Sequence, residues 1–260
     1  MSGYLAALFS WIDPLCGPIG IFTLFGEGTQ LACSGEGWGD EIASGFMVTA
    51  GLAVATLPIG LMLGFLIALA KQSDERSLRL ASNIYTTLFR GLPELLTLFI
   101  IYYGLQIGLQ RVLDLLGFGG QFEMNPFVAG MVALGVVFSA YCSEVLLSAF
   151  KAIPNGQYEA GDALGLRRSR TMLLVILPQL VRIALPGLGN LWMALLKDTA
   201  LVSIIGLPDI LRQTGIAARV TKEAFQFFGI ACLLFLILSM LSSVAIVALE
   251  RWSRRAEMSR

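Results

Sequence analysis

A chain of 260 residues suits one large domain or two small ones, but 56% hydrophobic and 14% charged residues leave too little charge to cover a soluble surface. With a mean hydropathy of +0.76, disorder is excluded as well, and the class that remains is an integral membrane protein. The 18 basic residues balance 18 acidic ones, without the basic excess that marks a nucleic-acid binder, and the lack of histidine removes imidazole bases, Ser-His-Asp triads and imidazole metal sites.

Residues 1–45 hold five acids (Asp13, Glu27, Glu36, Asp40 and Glu41) and no Lys or Arg. The apolar pieces 4–12 and 18–25 are too short to span a bilayer, and no basic stretch precedes them as a secretory signal requires. An interfacial helix followed by a Gly-rich loop is expected; an extra span from Ile19 onward is the alternative, interrupted by Glu27. Cys16 and Cys33 either pair as a disulfide or stay free. No C-x-x-C pair occurs, and Cys142 and Cys232, inside apolar runs, read as inert core thiols.

Five apolar runs of about 20 residues follow, at 46–70, 92–110, 127–150, 172–196 and 227–249, each the length that crosses a bilayer. Their flanks set the orientation. With the N-terminus outside, 11 basic residues fall inside (Lys71, Arg76, Arg79, Lys151, Arg167, Arg168, Arg170, Arg251, Arg254, Arg255, Arg260) and 5 outside. An outside N-terminus and an inside C-terminus are therefore expected.

In the first two runs Gly60-x-x-x-Gly64 and Gly104-x-x-x-Gly108 form small-residue faces that let helices approach. Arg90-Gly91-Leu92-Pro93-Glu94 opens the second run. Pro93 suits a first helical position and Glu94 the positive end of the helix dipole, so capping explains the motif. Glu144 is the sharpest internal charge of the third run. A carboxylate at mid-span costs about 2.5–3.5 kcal/mol on insertion scales, so it faces a cavity or an ion partner. Tyr141, one turn earlier, shares its face, and a ring beside a carboxylate can cage a cation. Glu144 and Tyr141 are thus candidate substrate-binding residues; the alternative is a structural bridge from Glu144 to Arg182 or Arg90.

Between the third and fourth runs, Pro154 and Gly156 stop the span, and residues 157–164 read as a short helix with Gly165 just past its C-cap. Tyr158 and Ala160 interleave with Glu159 and Asp162, chemistry suited either to a groove on a partner protein or to lipid headgroups. The fourth run is read as broken by Pro178 and Pro186, with Asn190 near a freed carbonyl. Arg182 and Lys197 lie about 22 Å apart along a helix and cannot serve one small carboxylate together. Lys197 is a third substrate candidate; its alternative is an interfacial pair with Asp198.

Glu159-Ala160-Gly161-x3-Gly165-x9-Val175-x-Leu177-Pro178 resembles the EAA signature of ABC-importer permeases, Glu-Ala-Ala-x3-Gly-x9-Ile-x-Leu-Pro, with Gly161 in place of the second Ala and Val175 in place of Ile. Phe89-Arg90-Gly91-x-Pro93, Ala140-Tyr141-x-x-Glu144, Ala152-Ile153-Pro154-x-Gly156-Gln157 and Lys197-Asp198-Thr199-Ala200 are similar to polar amino-acid permeases, of the histidine/lysine/arginine/ornithine and octopine-type opine importers. The resemblance spans roughly residues 46–250. It implies a type I ABC-importer permease fold, with Gln157, Tyr158, Glu159, Ala160, Gly161 and Gly165 on a coupling helix that docks in a cleft of a cytoplasmic ABC ATPase dimer. It also implies a second, homologous or identical permease subunit and a periplasmic solute-binding protein.

The expected fold is all-α, an integral membrane protein of five transmembrane helices in the bacterial inner membrane. Residues 1–45 form a periplasmic segment, 46–250 the permease domain with its coupling loop at 151–171, and 251–260 a cytoplasmic tail. The expected function is import of a polar, basic amino acid or opine. No catalytic residue, cofactor, metal or nucleic acid is called for, and lipid is the surrounding medium. No G-x-x-x-x-G-K-[ST] loop occurs, so ATP hydrolysis belongs to a partner chain. The alternative is a stand-alone secondary transporter or channel for small polar solutes, a class whose internal repeats are not visible here.

The charge asymmetry gives a direct test. A reporter active only in the cytoplasm is expected to work when fused at Lys71, Ser169 or Arg260 and to fail at Ser34 or Gln121. Activity at Ser34 would reverse the orientation.

Overall fold

Backbone N–H and C=O groups in hydrocarbon have no water to bond, so apolar runs of this length close their hydrogen bonds within helices. A computed structural model describes residues 15–16, 22, 29–33, 37–117 and 123–258, and the segments beyond residue 38 follow that rule. In chain order they are α1 (Gly39–Lys71), α2 (Arg76–Gly91), α3 (Glu94–Leu115), α4 (Pro126–Ala152), α5 (Gly156–Ala163), α6 (Arg168–Thr171), a π turn (Met172–Ile176), α7 (Leu177–Asp198), a 3₁₀ helix (Thr199–Ile205), α8 (Ile210–Thr221) and α9 (Ala224–Met258). Among the described residues five stretches are long and apolar enough to cross a membrane: α1, α3, α4, Arg168–Ile205 and Ala224–Ser253. The expected interfacial helix at 4–12 and the possible span from Ile19 lie outside the described residues.

α4 is the central post. α1 packs along it through the first small-residue face: a Cβ added at Gly64 would stand 2.7 Å from Cys142 Cβ and 3.1 Å from the Ser139 carbonyl oxygen. α7 meets α4 at Gly187, where a Cβ would lie 2.7 Å from Val145, and meets α9 at Gly189, where it would lie 2.7 Å from Ile246. The second small-residue face behaves differently, since nothing among the described residues lies within 4 Å of a Cβ at Gly104 or Gly108. The outward sides of α2, α3 and α9 are apolar, with Ile84, Leu88, Ile100, Ile107, Leu236 and Met240 all exposed. In a bilayer such a surface is matched to its medium.

α2 is an element that hydropathy did not show. Its apolar residues Leu80, Ile84 and Leu88 face outward, while Ser82 and Thr86 are buried and return their hydroxyls to the carbonyls of Leu78 and Ser82, one turn back. Tyr85 fastens α2 to α4, its hydroxyl 3.1 Å from the Val136 carbonyl oxygen and 2.8 Å from Ser139 Oγ. α2 ends because Leu92, at φ −90° and ψ 144°, is held extended ahead of Pro93.

The fourth span is not broken at its prolines. Pro178 has no N–H to donate, and the helix accommodates it by widening into the π turn just before, where the Leu177 N–H reaches back to the Met172 carbonyl. α7 then runs continuously through Pro186.

At the opposite end Cys16 and Cys33 are joined as a disulfide, with Cα atoms 5.7 Å apart. Leu15 and Phe22 pack with Ile42 and Phe46 of α1, Ile210 and Ala217 of α8, and Phe227 of α9. Asp209 caps α8 by accepting from the Arg212 N–H at 2.8 Å, and burial pushes its carboxyl up to about 6. Cys142 is buried as expected, whereas Cys232 is exposed on α9 rather than in the core.

The two glycine faces make opposite predictions. Gly64→Ala must push α1 away from α4, an overpacking cost of about 1–3 kcal/mol. Gly104→Ala meets nothing among the described residues and gains up to about 1 kcal/mol of helix propensity. The melting temperature in detergent is expected to fall for the first and hold or rise for the second.

Candidate functional site

A seam between α4 and α7 carries two cavities in line. The first, about 260 Å³, lies between the start of α3, the middle of α4 and the end of α7. Its polar lining is Glu94, Tyr141 and Asp198, set among Leu98, Phe138 and Leu195. Pro93 puts Glu94 there: it ends the approach from α2 and starts α3 with a carboxylate in the first turn. Asp198 is the last residue of α7, where the chain tightens into the 3₁₀ helix. Among the described residues the ion pairs are Lys71–Glu144 and Arg90–Glu144, so neither carboxylate of this cavity has a cation within bridging distance. The result is a small, mostly apolar chamber with two acids and the rings of Phe138 and Tyr141.

The second cavity, an open groove of about 360 Å³, lies further along α4 and is lined by Glu144, Val145 and Ser148, with Ile183 and Gly187 of α7 opposite. Where Tyr141 and Glu144 adjoin on α4, they carry a charged tier. Lys71 Nζ donates to Glu144 Oε1 at 2.6 Å, and Arg90 Nη1 stands 3.2 Å from the same oxygen. The Arg90 guanidinium also lies over the Tyr141 ring, 5.6 Å from its centroid. The Lys71 side chain is 4% exposed and that of Arg90 44%.

The residues singled out from the sequence thus part company. Tyr141 lines the first cavity and Glu144 the second. Glu144 already holds two cations, so the structural bridge weighed from the sequence is present, with Arg90 and the unforeseen Lys71 in place of Arg182. Lys197 is exposed, does not line the first cavity and forms no ion pair with Asp198 among the described residues. Glu94 and Asp198 had been read as a cap and as an interfacial partner. The signal that would have marked them is the position of each carboxylate, where an apolar helix starts or stops beside a Pro or 3₁₀ break.

The helix expected at 157–164 is α5, Gly156–Ala163. Gly165 has φ +70°, its N–H bonds the Asp162 carbonyl at 3.0 Å, and the Leu166 N–H bonds the Gly161 carbonyl at 3.0 Å, which together make a Schellman motif. Gly161 is buried against α6, where any Cβ would collide with the Thr171 side chain. That contact explains why glycine occupies the position of the signature's second alanine. Gln157 Oε1 accepts from Gln179 Nε2 at 3.2 Å, tying α5 to α7. Tyr158 is half-buried against the main core, and burial pushes its phenol up from the ordinary range. Glu159 and Ala160 are exposed on the outer side.

The sequence matches the family of binding-protein-dependent transport system inner membrane components over residues 60–255. It is 40% identical over 232 residues to the nopaline transport system permease protein NocQ of Agrobacterium fabrum, covering 89% of this chain and 98% of that one. It is 39% identical to the histidine/lysine/arginine/ornithine transport system permease protein HisQ of Salmonella typhimurium, covering 83% of this chain and 94% of the other. The fold superposes with a TM-score of 0.69 on a chain in the crystal structure of an amino acid ABC transporter with histidines, at 32% identity over 82% of this chain and 94% of that one.

Gly165→Val puts a β-branched residue where φ is positive, a strained placement costing on the order of 1–3 kcal/mol. The spans hold no part of that turn. The variant is expected to insert and fold while substrate-stimulated ATP hydrolysis by the assembled transporter is lost. Full stimulation would remove α5 from the coupling role.

Proposed function

The chain belongs to the family of binding-protein-dependent transport system inner membrane components, and from that membership we propose that it passes a cationic amino acid or opine through the first cavity of the α4–α7 seam. It is a multi-pass transport subunit of the bacterial inner membrane, and ATP hydrolysis lies on a separate subunit. Its working partners are an ABC ATPase pair, a second permease subunit and a periplasmic solute-binding protein.

The observation that carries the substrate class is the pair of unbridged carboxylates, Glu94 and Asp198, beside the Tyr141 ring. Two acids in a small apolar chamber are costly unless a cation joins them, and a cation there is strengthened by the low local dielectric. An α-ammonium group and a guanidinium or side-chain ammonium supply the charge, and the ring supplies a face for either. The relatives named for nopaline and for histidine, lysine, arginine and ornithine support the same class. Lys197, exposed outside the cavity, has no place in this site.

α5 is the ATPase dock in this reading. Its Schellman end fixes its length, and Gln157 and Gly161 hold it to the fourth span while Glu159 and Ala160 stay free for a partner. The orientation follows from the basic asymmetry and is supported by the Cys16–Cys33 disulfide, since disulfides persist in the oxidising periplasm.

The test is uptake by the reconstituted transporter, with labelled arginine as probe. Glu94→Gln and Asp198→Asn each remove one charge at constant shape. Losing a charge-assisted hydrogen bond costs about 1.5–3 kcal/mol, or roughly a 10- to 150-fold rise in the KM of the membrane step. Arginine affinity of the isolated binding protein is expected to stay constant. An unchanged KM in both variants would move the substrate out of this cavity.

A further inference from the structure

The two cavities share one face of α4. Leu134, Phe138 and Tyr141 line the first, and Glu144, Val145 and Ser148 continue the same stripe into the second, at the three- and four-residue spacing of one helix side. α7 provides the opposite wall of both in reverse order, with Asp198 and Leu191 above and Gly187 and Ile183 below. Tyr141 and Glu144, one turn apart on α4, line the adjoining ends of the two, and Arg90 contacts both side chains. With Lys71 included, one carboxylate and two cations meet there, so the tier carries a surplus positive charge. A cationic solute moving from the first cavity to the second therefore passes a like charge.

The two cations are held unequally. Lys71 is at 2.6 Å from Glu144 and almost wholly buried; removing it would strand a charge in the interior. Arg90 is at 3.2 Å, nearly half exposed, and stands at the last turn of α2 beside the extended Leu92. Its two contacts, a carboxylate oxygen and an aromatic face, are the two surfaces that a guanidinium or ammonium group on a solute would itself use.

We propose that Arg90 is a displaceable plug between the two cavities, and that a cationic substrate passes by exchange, its own cation taking the place of Arg90 on Tyr141 and Glu144 before moving on. This rests on the substrate class proposed above. Lys71 stays on Glu144 throughout and keeps the carboxylate aimed at the seam. Once Arg90 swings aside, the tier holds the same charge with substrate aboard as it did at rest. Glu144 is then a point of transit and Tyr141 the sill of the resting site.

The experiment uses the complete transporter, with ATPase, second permease and binding protein, in sealed vesicles loaded with labelled arginine. Arg90→Gln removes the plug's charge and is expected to release arginine without ATP about tenfold or more faster than wild type. Arg90→Lys, which restores a cation, is expected to recover most of the seal. Glu144→Asp leaves a carboxylate for Lys71 but draws it back from Arg90, and is expected to leak as well. Tight vesicles with both Arg90→Gln and Glu144→Asp would overturn the plug. So would a raised KM in Arg90→Gln without leak, which would put Arg90 in the resting site. Wild-type complex that takes up no arginine would refute the substrate class, and the exchange with it. Wild-type uptake with a Glu94→Gln rise in KM, alongside a tight Arg90→Gln, would confine the failure to the plug.

Discussion

Within the bilayer core a backbone group that loses its helical partner has nowhere else to turn, and each orphan costs several kcal/mol. The architecture follows from meeting that demand without water. The missing N–H of Pro178 is absorbed by one π turn rather than by a break, so the fourth span stays a continuous rod. The hydroxyls of Thr49, Thr56, Ser82, Thr86 and Ser143 all return to carbonyls three or four residues back in their own helices. With most hydrogen bonds closed inside each helix, contact between helices rests largely on shape, with a few bonds such as those of Tyr85 to Val136 and Ser139 added. That is why Gly64, Gly187 and Gly189 sit where α1, α4, α7 and α9 touch.

Charge obeys the same accounting in a harsher form. Glu144 sits among spans because Lys71 and Arg90 reach it from two other helices. Neither partner is near it in sequence: Lys71 is 73 residues away. Among the described residues Glu94 and Asp198 have no such partners, yet both open on a cavity. One carboxylate is paired within the chain and the other two face open space, a contrast that residue type alone does not reveal.

The parts legible in the sequence are those governed by local rules. Apolar runs with at most one charge each located the five spans, and Pro154, Gly156 and Gly165 bracketed α5 to within a residue. α2 escaped because its pattern is inverted, with hydroxyls inward and aliphatics outward, and because Arg76, Arg79 and Arg90 made it look like a loop. The 3₁₀ helix and α8 were likewise folded into a connecting loop, since twelve residues of mixed polarity give no hydropathy signal. Tyr141 was found through its spacing from Glu144. Glu94 and Asp198 were not, because their pairing depends on where α3 and α7 end in space.

A helix running the length of the fourth span also links the two functional ends mechanically. α5 is fixed to its beginning by the Gln157–Gln179 hydrogen bond and by the close fit of Gly161 on Thr171. The 22 residues of α7 make a rod of about 33 Å. Its far end carries Asp198 into the first cavity, and its middle carries Gly187 against Val145 beside the second. A closely packed interior is stiff, so the contacts of α5 and those along the α4–α7 seam are carried by one rod, joined to α5 through the π turn at Met172–Ile176.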